Sequence, residues 1–262
     1  MGGRSSAGFD PAGFPIVVGH RGSAATHPEN TLPSFQAAID AGADAVELDV
    51  RVSAEAVAVV LHDADVGRTT DGSGLVHELT LAELKRLDAS GGRGGTHEVP
   101  TLAEVLELAS GRAAVNLEIK NLPGEPGFDG PVEAAVEAAL GDLERVGFAG
   151  PVLITSFNWS SIERSRALAP DLPTGFLSLA AVAPVAALDY VRQAGHPFVL
   201  PNVLALRKAG PEFVDEAHRH AVRVGTWTVD DPEAVAELFA WGVDAVATND
   251  PAAAVAVRPA RG

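Results

Sequence analysis

Short apolar runs alternate with amphipathic stretches along almost the whole chain. The runs predict strands near 16–20, 45–52, 114–119, 151–155, 174–178, 198–201, 222–228 and 244–248. Apolar residues recurring every three to four positions predict helices near 31–41, 101–110, 131–146, 158–168, 182–194, 211–220 and 232–241. Strand-then-helix alternation with short loops implies an α/β fold with a parallel sheet, since a parallel neighbour requires a crossover long enough to hold a helix. Eight such strands close a (β/α)8 barrel. A doubly wound open sheet is the competing architecture, but no glycine-rich loop of Rossmann or Walker type supports it.

One run breaks the alternation. Residues 57–61 (Val-Ala-Val-Val-Leu) follow the second strand after only four residues, too few for a crossover. They are expected to fold back as a hairpin projecting from the barrel mouth. A four-residue loop pairs Val52 with Val57, and hence Glu47 with His62; a two-residue loop pairs Asp49 with His62. Either register sets His62 on the face that carries Glu47 and Asp49. Residues 63–100 fit no barrel unit: two glycine-rich stretches, 71–74 and 91–95, flank a short helix at 81–87. They read as an insertion, either a lid over the mouth or a surface excursion. The tail after Pro251 reads as one alanine-rich helical turn at most.

The chemistry gathers where apolar runs end, as it does at the mouth of an α/β barrel. His20-Arg21-Gly22 closes the first run and Glu47-Leu48-Asp49 lies within the second. Glu47 and Asp49 are two apart and share one face of a strand. Carboxylates held that close repel unless a cation lies between them. Glu118 and Lys120 share a face at the end of the third run, and the third carboxylate completes an oxygen-only set suited to Mg2+ or Ca2+. Nothing in that set calls for zinc. The competing reading of Glu118 and Lys120 is a satisfied ion pair inside the barrel. His20 and His62 face the acidic cluster, and imidazoles titrating near pH ~6.5 suit one to take and the other to give a proton. His27, His77, His97, His196, His218 and His220 lack such a setting and are expected at the surface. Trp227, with Phe157 as a weaker candidate, either stacks on a substrate's carbon skeleton or fills the barrel core.

Composition narrows the partners. At 262 residues, 47% hydrophobic, the chain suits a single domain spanning 1–262 with a sizeable core. A formal charge of −16 argues against nucleic acid and repels small anions at long range. An anionic substrate therefore needs local compensation from a metal, Arg21 and a lysine. No apolar stretch reaches membrane-spanning length, so no stable membrane insertion is expected. Cysteine is absent, and residues 1–15 are rich in Gly, Ser and Pro without a signal peptide's apolar centre; a cytoplasmic location is expected.

The motifs His20-Arg21-Gly22, Pro28-Glu29-Asn30-Thr31, Glu47-Leu48-Asp49-Val50, His62-Asp63, Arg68-Thr69-Thr70, Pro100-Thr101-Leu102, Glu118-Ile119-Lys120 and Trp227-Thr228-Val229 occur in this order. In that order the chain resembles the glycerophosphodiester phosphodiesterase family over nearly its whole length. The resemblance implies a TIM barrel with an inserted segment, here 63–100, and hydrolysis of a small-molecule glycerophosphodiester to glycerol 3-phosphate and an alcohol. It implies one divalent cation, Mg2+ or Ca2+, at Glu47, Asp49 and Glu118, with His20 and His62 as the acid–base pair. It also implies that Arg21 and Lys120 hold the phosphate and Trp227 lines the glycerol side. Two departures stand out: the hairpin tip is Glu55-Ala56 where the family usually has Asp-Gly, and the last motif reads Thr248-Asn249-Asp250. The first favours the longer loop, and with it the Glu47–His62 register. A lysophospholipase D-like activity, which would need an exposed apolar ring at the mouth, and a catalytically silent phosphodiester-binding barrel are the alternatives.

Overall fold

A computed structural model describes residue 9 and residues 13–260. Most of the Gly/Ser/Pro-rich start, 1–15, lies outside the described residues. Eight parallel strands form the barrel: β1 (Ile16–His20), β2 (Ala45–Val52), β4 (Ala114–Ile119), β5 (Val152–Ser156), β6 (Thr174–Ser178), β7 (Phe198–Pro201), β8 (Arg223–Thr226) and β9 (Ala245–Thr248). β1 pairs with both β9 and β2, which closes the sheet into a TIM barrel. The short β3 (Ala58–Val60) runs antiparallel on β2.

Alternation along each strand splits the core into two layers. Val46, Leu48 and Val50 of β2 pack outward against helical residues such as Phe35, Leu102 and Val105. A second outer cluster does the same for β7 to β9. Inside the barrel, Ile16, Val18, Ala45, Leu153, Leu177 and Leu200 fill the lower part, joined by Phe9 and Phe198 in an edge-on ring contact. The same alternation leaves the upper, inward positions of β1, β2 and β4 to polar residues.

The hairpin forms, but in neither expected register. Val50 pairs with Val60 and Val52 with Ala58, so the connecting loop spans five residues, 53–57. Continued along the ladder, that register sets His62 opposite Leu48 on the helix-facing side. The parity argument from the sequence is therefore corrected. The cause is the loop itself: Ser53 Oγ accepts from the amides of Glu55 and Val57, and Ala56 takes a left-handed φ of 58°. His62 still reaches the mouth because β3 ends at Val60. One further rung joins the Leu61 amide to the Asp49 carbonyl, and the chain bends from His62 onward, where the His62 carbonyl accepts from Arg51 Nε.

From Leu61 to Val99 the chain has a small core of its own. Val66, Val76, Leu84, Ala89 and Val99 pack with Leu61 on the face of β3 that Val59 presents. The helix there is shorter than expected, Leu81–Leu84. Two further differences are helical. Val203–Ala209 is a helix with no counterpart in the sequence reading, and the tail forms Pro251–Val257 rather than one turn. Asn202 and Asp250 cap these two helices with their side chains.

His196, expected at the surface, is 2% exposed. It sits just before β7, with Nδ1 2.6 Å from Thr174 Oγ1 and Nε2 3.3 Å from both Tyr190 Oη and Glu163 Oε1. Burial lowers its pKa, with Glu163 opposing. The unfolded chain then binds the proton more readily, so this group's contribution to stability is complete above about pH 6.5 and falls away as pH drops below it. His196→Phe removes that dependence and leaves Thr174 Oγ1 without its partner, at a cost of about 1–3 kcal/mol. Thermal unfolding should show the variant less stable at neutral pH, and losing less Tm than the parent on acidification.

Candidate active site

Parallel ladder register builds the site. It sets His20 abreast of Glu47, Glu47 abreast of Asn116, and Asp49 abreast of Glu118. The result is three buried carboxylates whose nearest oxygens lie within 4.8 Å of one another. Glu47 Oε2 accepts from the Arg21 amide at 2.9 Å, and Asp49 Oδ2 from Asn30 Nδ2 at 2.7 Å. Arg21 Nε stands 3.2 Å from Asp49, while Lys120 Nζ lies 2.8 Å from Glu118 and 3.6 Å from Asp49. Glu47 Oε1 and Asp49 Oδ1 are buried and accept no hydrogen bond.

The electrostatics follow from that crowding. Burial, then the charges of Asp49 and Glu118, push the Glu47 pKa well above the usual carboxylate range. Glu118 is raised by burial and by Asp49, with Lys120 opposing. Burial acts on Asp49 in the same direction, but Lys120, Arg21 and His62 outweigh it and hold this carboxylate below the usual range. Three oxygen donors, two of them with unsatisfied lone pairs, fit a hard divalent cation.

Each histidine has a distinct partner. His20 Nδ1 lies 2.8 Å from Asn249 Oδ1, and Asn249 Nδ2 in turn donates to Asp230 Oδ2 at 2.8 Å. Asp230 thus turns the amide so that its oxygen faces His20. The proton is on Nδ1, and Nε2 keeps its lone pair. His62 Nδ1 lies 2.5 Å from Asp63 Oδ1. Arg68 bridges Asp63 to Glu29, and Glu29 pairs with Arg21 at 2.9 Å. Burial is the main influence on Asp63 and raises it, yet its bonds to Arg68 and His62 bring it down to about 2. Burial lowers both imidazole pKa values, with Arg21 adding to the effect on His20 and Asp49 opposing it on His62.

Local geometry explains the His-Arg-Gly string. Arg21 and Gly22 both adopt positive φ, 52° and 86°. A Cβ on Gly22 would lie 2.5 Å from the Ser34 backbone, at the start of helix Leu32–Asp40. Only glycine allows that approach, which aims the Arg21 amide at Glu47.

The eight residues singled out from the sequence all lie at one end of the barrel. Trp227 is half-buried, with Nε1 donating to the Leu200 carbonyl and its ring edge-on to Phe157. With His20, Glu47 and Glu118 it lines a pocket at the barrel mouth. Sequence reasoning missed Asn249 and Asp230, which orient His20, and Arg51. The buried guanidinium of Arg51 donates to the carbonyls of His62 at 2.8 Å and Lys120 at 3.2 Å, and to Glu125 at 2.7 Å. One side chain therefore ties β2 to the segments carrying His62 and Lys120. On a hairpin strand it reads as a solvated cation, so its spacing held no signal.

Residues 20–253 match the model of the glycerophosphoryl diester phosphodiesterase family. The chain belongs to that family. Membership makes it a phosphoric diester hydrolase. A glycerophosphodiester phosphodiesterase of Caldanaerobacter subterraneus is 36% identical over 242 residues, 90% of this chain and 94% of the relative. One of Bacillus altitudinis is 31% identical over 251 residues, covering 92% and 97%. Among solved structures, a phosphodiesterase of Oleispira antarctica in complex with the product sn-glycerol-3-phosphate superimposes with a TM-score of 0.84. It is 29% identical, with 93% of this chain and 96% of that one covered.

Arg51→Met should keep the barrel and loosen His62 and Lys120 together. A lost charge-assisted hydrogen bond is worth about 1.5–3 kcal/mol, so kcat should fall roughly ten- to a hundredfold. Steady-state kinetics beside a thermal melt check it: a kcat loss is expected together with a lowered but still cooperative melt, because buried carbonyls lose their donor.

Proposed function

We propose that this chain hydrolyses glycerophosphodiesters to sn-glycerol 3-phosphate and an alcohol, with His20 as general base and His62 as general acid. The observation that carries the reading is the pairing of two differently partnered histidines with a cluster of three buried carboxylates. The product bound by the Oleispira relative supports the choice of substrate.

Glu47, Asp49 and Glu118 would hold one divalent cation, Mg2+ or Ca2+. When bound, such a cation neutralises charge on the non-bridging phosphate oxygens. Arg21 and Lys120 flank the same carboxylates and offer the phosphate two further positive groups. His20, with its Nδ1 proton engaged by Asn249, takes a proton at Nε2 from the attacking oxygen. That oxygen belongs to water or to a glycerol hydroxyl, the second route passing through a cyclic phosphate. His62 lies against the ionised Asp63, whose hydrogen bond opposes the lowering by burial, and gives its Nε2 proton to the departing alkoxide. Trp227 and Phe157 wall the side where the carbon skeleton lies. The segment 63–100 supplies Asp63 and Arg68, and we assign it to the mouth as a part that positions His62.

Release of glycerol 3-phosphate from glycerophosphocholine should stop with EDTA and return with Mg2+ or Ca2+. His20→Ala and His62→Ala should each lose about 10²–10⁴ in rate. A p-nitrophenyl diester, whose leaving group needs no proton, should rescue His62→Ala and leave His20→Ala slow. Activity untouched by EDTA, or a double variant near parental turnover, would overturn the reading.

A further inference from the structure

A buried polar knot lies beside the strand end that carries Lys120. At its centre is Glu133, 2% exposed, which precedes the helix Ala134–Val146 with a left-handed φ of 56°. Neutral donors hold its carboxyl: Asn158 Nδ2 lies 3.3 Å from Oε1, and Ser161 Oγ 2.7 Å from Oε2. A left-handed backbone at a non-glycine residue and a carboxyl buried on neutral donors both cost stability. What that cost sustains is visible one side chain away.

The end of β4 is gripped carbonyl by carbonyl. Ser156 Oγ donates to the Ile119 carbonyl at 2.8 Å, Arg51 to that of Lys120, and Asn158 Nδ2 to that of Asn121 at 2.7 Å. The orientation of the Asn158 amide is fully determined. Its Oδ1 accepts from the Ser160 amide at 3.1 Å, while its two N–H groups go to Asn121 and Glu133. Without the Glu133 acceptor one of those N–H groups is stranded in a dry interior, which loosens the grip on Asn121. Lys120 passes such a shift on, because its side chain is 3% exposed and its ammonium lies 5.8 Å from the Phe157 ring centre. Phe157 itself stands between Ser156 and Asn158, so the same two residues set the ring against the ammonium.

We propose that Glu133 is a positioning residue for Lys120: it steadies the Asn158 amide, and through it the strand end that aims the ammonium at the substrate phosphate. The inference rests on the reading above in which Lys120 holds the phosphate. Glu133 touches no reacting atom, and its whole effect on the reaction passes through Lys120. That is the property a general contributor to stability lacks, and a double-mutant cycle reads it.

The test measures kcat/KM on glycerophosphocholine and the Kd of sn-glycerol 3-phosphate with Mg2+ present, on full-length chains. Glu133→Met should lose roughly tenfold in both, as misplacement of a binding group does. In a Lys120→Met background the same change should cost less than about twofold. Glu133→Gln should stay near the parent, since its oxygen still accepts from Asn158 and Ser161 Oγ accepts from its amide. Should Glu133→Met not fold, Asn158→Ser carries the cycle: a serine keeps the helix cap and lacks the amide donor. The same dependence on Lys120 is required of it. Equal losses in the two backgrounds, or a folded Glu133→Met that binds and turns over like the parent, overturn the proposal. A parent that binds glycerol 3-phosphate with this coupling but cleaves no glycerophosphodiester overturns the phosphodiesterase reading and leaves the positioning role standing. A parent that cleaves glycerophosphocholine with Lys120→Met unimpaired overturns the positioning role alone.

Discussion

Repulsion among Glu47, Asp49 and Glu118 is the constraint around which the rest of the barrel mouth is organised. Three acids on adjacent strands, brought within 4.8 Å by ladder register, cannot all ionise in a dry interior without compensation. Around them the fold concentrates every form of relief available to a protein. Arg21 contributes an amide and a guanidinium, Asn30 an amide, and Lys120 an ammonium. Two oxygens still accept no hydrogen bond, which marks the place a cation fits. The positive φ of Arg21, the missing side chain of Gly22 and the burial of Lys120 all trace back to this one requirement.

A second layer of order surrounds it. Neither histidine stands alone: Asp230 and Asn249 fix one imidazole, while Asp63, Arg68 and Glu29 fix the other. Glu29 also pairs with Arg21, so the network that orients His62 returns to the carboxylate cluster. Arg51 performs the same work on the backbone, gripping the carbonyls of His62 and Lys120 from within β2. These groups lie far apart in sequence and hold the reactive side chains in one geometry. Such preorganisation is what acid–base chemistry at a fixed phosphorus demands.

Much of this was legible in the sequence, for identifiable reasons. Strands buried on both faces read as continuous apolar runs, so all eight barrel strands were visible. Carboxylates two apart on a strand share a face whatever the surroundings, which put Glu47 with Asp49 and Glu118 with Lys120. The hairpin register was not legible. It depends on a five-residue loop closed by Ser53 and a left-handed Ala56, where residue preference argues for neither. The helix Val203–Ala209 starts directly on its strand end, with Asn202 alone marking the boundary. The roles of His196, Asn249 and Arg51 were not legible because they arise from partners up to 229 residues away, as for His20 and Asn249.

The central claim is that the three carboxylates form a cation site. Isothermal titration of the metal-stripped chain with Mg2+ or Ca2+ tests it most directly, run in two buffers of different ionisation enthalpy. The account predicts one cation per chain, with proton release because burial and the neighbouring carboxylates raise the Glu47 pKa and a cation opposes that rise, and no binding by Glu47→Gln/Glu118→Gln. Absence of binding by the parent, or unchanged affinity in the double variant, would contradict it.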